Sequence, residues 1–439
     1  MKKIIAILVA LAVVSMAFAQ TVSMSNTVEA RPVITVNGGR AAWNWAANDR
    51  QDGAMFSDTI EASGETGDGR GKFIGNVVTD LLIKDPAGTG LMNVIPRIGL
   101  GLRGANFLGT YKALDFLAFG FGTFNEPYAA GSYLNAAQEM PAARGGDENG
   151  SWWANGGNNG DTWGAWNSST NWNGAFVTFL GDGVGIDRLK ASFILNNDWF
   201  NKNTASFALH FNYDAELFGV SAKYDGAFGT QSTAPARAFT GTGALPAGAA
   251  DTKSDYAHGF TVGVKYKGLK DLAVGINLGA AFDAEISKVG GTSSSKFSVG
   301  LVSDFDFRNN ITDQVWARVG FGNVNNESVK VLPFGVGNYL KYVIGGDYDA
   351  TFSFETCYFQ NALTQKLKDS KATVANSNDI YIYPRFEFTM GKSTFVFGVK
   401  NDVSGHMEYV DKTDNDWAYT KLFGDQARVE IPVKWTYKF

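Results

Sequence analysis

A period of two constrains this chain more than any other feature, and it is plainest in the last fifteen residues, DQARVEIPVKWTYKF. Val429, Ile431, Val433, Trp435, Tyr437 and Phe439 share one parity, while Arg428, Glu430, Lys434, Thr436 and Lys438 share the other. Successive side chains of a strand point to opposite faces, so this is a strand with one apolar and one charged face. A half-buried soluble sheet has that pattern. So does a transmembrane barrel strand, with lipid outside and water inside.

The same alternation recurs along the chain. Ile98, Leu100 and Leu102 oppose Arg97, Gly99 and Arg103; Phe260, Val262, Val264 and Tyr266 oppose Thr261, Gly263, Lys265 and Lys267. Val315, Ala317, Val319 and Phe321 oppose Gln314, Trp316 and Arg318, and Phe386 and Phe388 oppose Arg385 and Glu387. Leu117, Phe119 and Phe121 alternate with Ala118, Gly120 and Gly122, small residues that leave room for a lumen or for close packing. Connections alternate as well. Short turns at Glu216, 267–270, 309–310, 346–349 and 391–392 are separated by long polar stretches at 229–257, 284–295, 323–338, 361–378 and 401–424. Long loops at one end only are the mark of an up-and-down barrel.

Near the N-terminus, 20–30 reads as a polar lead-in, 49–71 as a loop and 72–84 as a strand. Two short runs flank Asn37-Gly38-Gly39 as a hairpin or one kinked strand. The expected fold is all-β: a transmembrane, antiparallel barrel of about sixteen strands, range about fourteen to eighteen, with the upper figure if that hairpin joins the wall. No apolar run long enough for a membrane-spanning helix follows the first residues. The 52 glycines and 14% aromatic content suit many strands with turns and aromatic girdles.

The first nineteen residues have the three parts of a secretory signal: Lys2 and Lys3, an apolar core from Ile4 to Val14, and Ala17-Phe18-Ala19 as a small-x-small cleavage site. Cleavage after Ala19 leaves 20–439 as a single barrel domain, exported and near −7 in charge, with 36 Lys and Arg against 43 Asp and Glu. That balance, without a basic stripe, argues against a nucleic-acid partner. One cysteine, Cys357, excludes an intramolecular disulfide framework.

Signal peptide, amphipathic hairpins and a terminal strand ending in Trp435, Tyr437 and Phe439 together resemble bacterial outer-membrane β-barrels of the porin type. The resemblance implies a Gram-negative-type outer membrane, contact with its lipid, and passive diffusion of small hydrophilic solutes and ions. It also implies that Trp435, Tyr437 and Phe439 are similar to the signal read by the barrel-insertion machinery. Monomer and homotrimer both stay open. In general porins a long loop after the fifth strand folds into the lumen. With the first hairpin counted, 125–173 follows the fifth strand here, and Glu126, Glu139, Asp147, Glu148 and Asp161 would be its acidic set.

The polar strand faces lean basic. Arg97, Arg103, Lys265, Arg318, Arg385, Arg428 and Lys434 are candidate pore-lining residues, because a cation turned to lipid at mid-bilayer costs about 2–4 kcal/mol. Together with the acidic loop they would set a transverse field across a pore; read separately they are a solvated lumen with scattered ion pairs. Trp152, Trp153, Trp163 and Trp166, set among Asn, Gly and Ser, join the loop candidates. Such rings stack on sugars, or pack within the loop or at the bilayer interface. A saccharide or hydrophobic-compound transporter and a barrel-anchored adhesin are therefore the alternatives. Catalysis is not expected. His210, His258 and His406 are scattered, and Ser206 beside His210 is a chance spacing in a Ser-rich chain. No His/Cys spacing suits a metal, Asp414-Asn415-Asp416 lacks the closing Glu of a calcium loop, and no cofactor is implied.

Overall fold

The computed structural model describes residues 21–30, 33–37, 40–44, 52–84, 97–124, 172–196, 204–229, 256–269, 272–289, 291–324, 326–360, 363–364, 373–410 and 416–438. Nearly all of them are β-strand. In chain order the strands are β1 Thr21–Ala30, β2 Val33–Asn37, β3 Arg40–Asn44, β4 Asp52–Glu65, β5 Gly71–Lys84, β6 Arg97–Leu114, β7 Leu117–Phe124 and β8 Trp172–Leu180. There follow β9 Leu189–Asn196, β10 Thr204–Asp214, β11 Phe218–Gly229, β12 Tyr256–Leu269, β13 Gly275–Val289, β14 Thr292–Asp306 and β15 Ile311–Val324. The last are β16 Glu327–Val331, β17 Phe334–Gly345, β18 Ala350–Gln360, β19 Leu363–Thr364, β20 Thr373–Met390, β21 Ser393–Gly398, β22 Lys400–Val410 and β23 Asp416–Lys438.

Every pairing is antiparallel, and the pairings close a ring. Each wall strand lies against the next in sequence, and β23 returns to β1, with Thr27 opposite Lys438 and Ala30 opposite Trp435. β1 and β2 act as one wall strand, since both lie along β23. β3 and β4 are likewise one strand, paired to β2 and β1. β21 and β22 together bridge β20 and β23. β16 and β19 pair with each other beyond the wall. Among the described residues the wall therefore has eighteen strands, the upper end of the expected range. Of the expected loop 125–173, Trp172 and Asn173 belong to β8, and 125–171, after the fifth wall strand in sequence, lies outside the described residues.

Three expectations fail in the same direction. The supposed lead-in 20–30 is largely β1, a closing strand, and much of the supposed loop 49–71 is β4. Of the expected long loops, 284–295 is mostly ladder: Ala284 opposes Phe297 and the pairing continues to Val289 opposite Thr292. Likewise β15, β16 and β17 occupy most of 323–338, β20 begins inside 361–378, and β22 and β23 take up much of 401–424. The reason is common to all. Hydrogen bonding holds a ladder together by its backbone, so strands can continue where the outward face has turned polar and the apolar signal has stopped.

The two faces of the wall are inverted relative to a soluble protein. On β12, Phe260, Val262, Val264 and Tyr266 are exposed while Gly259, Thr261 and Gly263 are buried. On β15, Val315, Val319 and Phe321 are exposed while Gln314, Trp316 and Arg318 are buried. The outside of the ring is an apolar surface, and its charged face looks in. Among the described residues no helix is long and apolar enough to cross a membrane.

Candidate functional site

The inward faces of β12 to β20 carry a continuous polar row. Register sets Asp304 opposite Gln314, Gln314 opposite Tyr339, Tyr339 opposite Glu355, and Glu355 opposite Tyr383. Charge of both signs is attached along it. Lys265 Nζ lies 2.6 Å from Asp304 Oδ2, and Gln314 Nε2 donates to Oδ1 of the same carboxylate. Beside this pair, Lys267 Nζ meets Asp214 Oδ1 at 2.5 Å. At the other end of the row Arg385 donates from Nε to Ser353 Oγ (3.2 Å) and from Nη2 to the Tyr339 hydroxyl (3.4 Å), with its guanidinium over the Tyr383 ring. Both carboxylate–ammonium pairs keep some solvent contact, with side chains 18–44% exposed, so each is held by hydrogen bonding as much as by charge.

Part of that row and the wall beside it are closed to solvent, Gln314, Glu355 and Tyr383 being buried. Arg318 is 5% exposed and is fixed by Nε and Nη2 on Ser298 Oγ at 3.1 and 2.7 Å. His210, Lys223 and Glu355 are equally covered. On β8 to β10 the inward face is packed: Phe176, Ile194 and Ala208 form an apolar cluster with Leu108 against it, and the Thr178 and Ser192 hydroxyls bond at 2.6 Å. A charged group so placed is weakly screened, so its field reaches farther than that of an exposed charge.

Of the pore-lining candidates, Lys265 and Arg385 face the lumen with partial exposure, Arg318 faces it buried, and Lys434 stands opposite inward-facing Val396. Arg97 pairs with Lys84 in register, Arg103 falls at a register shift of β6, and Arg428 lies opposite Asp402 and Asn37. The loop candidates Glu126, Glu139, Asp147, Glu148, Asp161, Trp152, Trp153, Trp163 and Trp166 lie outside the described residues, as does Phe439. Trp435 and Tyr437 are outward neighbours on β23, ring centroids 6.3 Å apart, and Trp435 Nε1 donates to Ser393 Oγ. Reading the cations alone missed the residues they contact, Asp304 for Lys265 and Ser353, Tyr339 and Tyr383 for Arg385, and missed Gln314 on the same carboxylate. The inward parity that selected Lys265 and Arg385 selects these too.

No family model matches the sequence, and no curated protein sequence matches it. Solved structures do. OccAB2 of Acinetobacter baumannii aligns at TM-score 0.53 and 9% identity, covering 96% of this chain and 99% of that one. OccK11 (OpdR) of Pseudomonas aeruginosa aligns at 0.52 and 9%, covering 96% and 97%. OprD of the same organism aligns at 0.51 and 8%, covering 96% and 97%. The likeness runs the length of the chain and is one of fold: this chain has the architecture of bacterial outer-membrane porin barrels.

Proposed function

We propose that the chain is an outer-membrane channel for small hydrophilic solutes and ions, exported under the signal at 1–19, cleaved after Ala19 and inserted as a single barrel. One observation carries this reading. A closed eighteen-strand ring presents apolar and aromatic side chains outward and an ion-paired polar row inward. Lipid tails make such an apolar outer face favourable, and a closed ring pairs strand with strand so that no edge is left among the described residues. Barrels of about sixteen to eighteen strands enclose an aqueous passage. The test is planar-bilayer conductance of purified protein. Discrete steps in salt support it, and a folded, inserted barrel that never conducts refutes it.

The burial of Arg318, His210 and Glu355 favours a narrow, substrate-selective passage over a wide sieve. Solutes that pass would run along the accessible Lys265–Asp304 and Lys267–Asp214 pairs. Because each cation there is matched by a carboxylate, ion selectivity should be modest. A panel of uncharged sugars, amino acids and organic acids in liposome swelling separates the two: a cut-off by size alone means a sieve, and discrimination at equal size means a selective channel.

A further inference from the structure

The outward face of β12 changes character along its length. Tyr266, Val264, Val262 and Phe260 are exposed, and the row then continues into half-buried His258 and Tyr256. On β13 beside it Leu278, Phe282 and Ile286 are exposed, and Lys288 follows on the same face, opposite Tyr256. The change comes at the end of the wall away from the short β10–β11 and β12–β13 connections. Its spacing fits a bilayer. Tyr256 and Tyr266 are ten residues apart, which at about 3.3 Å per residue and a strand tilt of about 40° is about 25 Å of height, the apolar band of an outer-membrane barrel. One tyrosine therefore marks each interface, and His258 and Lys288 stand at the level of lipid headgroups. The side chains there are held in place. The Tyr224 hydroxyl of β11 lies 2.9 Å from His258 Nδ1, with the two rings stacked at 6.0 Å. Tyr256 packs against the same imidazole, centroids 5.3 Å apart, and Phe207 and Phe260 pack against Tyr224 at 5.5 and 4.9 Å. Gly226 supplies the room, since a Cβ there would lie 2.5 Å from the Tyr224 hydroxyl.

Resting on the membrane reading above, we propose that Lys288 and His258, set on the frame of Tyr224 and Tyr256, form a site for the anionic phosphate headgroup of a membrane lipid. Charge complementarity points to the occupant. Ser293 stands opposite Lys288 across the β13–β14 ladder, and the described outward positions of β11 to β14 at this level carry a cation, an imidazole and hydroxyls but no carboxylate. An ammonium on a flexible stem binds phosphate as a point charge, and imidazole N–H and serine O–H groups are donors that phosphate oxygens accept. The lipid chains then lie along the exposed rows below, Phe260, Val262 and Val264 on β12 and Ile286 and Phe282 on β13. A soluble anion gains nothing from those rows, so the site suits a lipid over a free phosphate. The stacked rings fix the imidazole before the lipid arrives, which reduces the ordering that binding requires.

The test uses the full-length barrel, purified in detergent and mixed with phosphatidylglycerol or with phosphatidylcholine, whose own choline neutralises its phosphate. Native mass spectrometry counts the lipids that each barrel keeps. The parent should keep phosphatidylglycerol and shed phosphatidylcholine. Lys288→Gln with His258→Gln should lower phosphatidylglycerol retention about tenfold or more, as the loss of a charge-assisted hydrogen bond does. Lys288→Arg should restore it, and Lys392→Gln, at an exposed turn on the opposite rim, should leave it unchanged. If His258→Gln disturbs folding, Lys288→Gln alone carries the same expectation. Inorganic phosphate tests the soluble source: if it displaces phosphatidylglycerol from the parent, the site belongs to a free anion and the lipid assignment falls. Equal retention by the parent and the double variant, or equal loss with Lys392→Gln, overturns the site. A barrel that conducts but keeps no phosphatidylglycerol overturns it too and leaves the channel reading standing. A barrel that keeps the lipid without conducting does the reverse.

Discussion

Gly120 shows what a single position decides. Alternating Gly and Ala opposite Phe119 and Phe121 fitted an open lumen or tight packing equally well. The structure chooses packing, for a Cβ at Gly120 would lie 2.2 Å from the Phe176 ring, itself held by Ile194 and Ala208. Gly120→Ala should therefore destabilise the barrel by about 1–3 kcal/mol, the usual cost of overfilling a packed site. Phe176→Leu in the same chain should recover part of that, as a double-mutant cycle of heat-induced unfolding in detergent would show; additive losses would deny the contact. A second residue-scale expectation concerns Asp68 in the turn between β4 and β5. The Thr66 hydroxyl, and then the Arg70 backbone N–H, hold its carboxyl below the usual range. A lowered folded pKa means the turn is supported at neutral pH, and the support is lost only as pH falls through that lowered value. The Arg70 amide resonance should titrate with a midpoint below that of an ordinary aspartate, and Asp68→Asn should remove the titration.

At the scale of the element, the apolar parity of each hairpin was legible because lipid-facing side chains repeat every second residue. Register was not. Lys265 meets Asp304 and Arg318 meets Ser298 across ladders, and no local pattern announces which residue will stand opposite which. Hence the cations were found and their partners were not. Strand ends above the apolar band were also hidden, since the β13–β14 ladder continues through Ser293, Ser294 and Ser295 with no hydrophobic signal. The pairing has a functional consequence that can be measured. Asp304→Asn keeps the hydrogen bond from Gln314 within reach but leaves Lys265 without its countercharge, so reversal potentials in a salt gradient should move toward anion selectivity, and Lys265→Met should move them the other way. Equal potentials in all three proteins would show that this pair lies off the conducting path. The outward face tests the wall itself: Leu301→Arg, at an exposed mid-wall position, should cost about 2–4 kcal/mol if it faces lipid.

For the whole molecule, what matters is closure. The sequence pattern predicted a wall and a terminal strand with a lipid face, yet it left 20–30 outside the barrel, because its short polar residues carry no strong alternation. In the structure β1 joins β4 on one side and β23 on the other, Thr21 opposite Glu65 and Thr27 opposite Lys438. An antiparallel wall without its last strand has two open edges, and open edges in a bilayer leave backbone N–H and C=O groups without partners. Deleting Thr21–Ala30, with the signal retained, should therefore abolish the heat-modifiable folded form and send the chain to periplasmic degradation or aggregates. Deleting Phe439 should act earlier, slowing delivery to the insertion machinery while those barrels that do form stay as stable as the parent. The two defects are separable by refolding from urea into detergent, where no machinery takes part: the chain without Phe439 should fold at the parental yield, and the chain without β1 should not. Parental refolding of both would mean that β2 alone closes the ring.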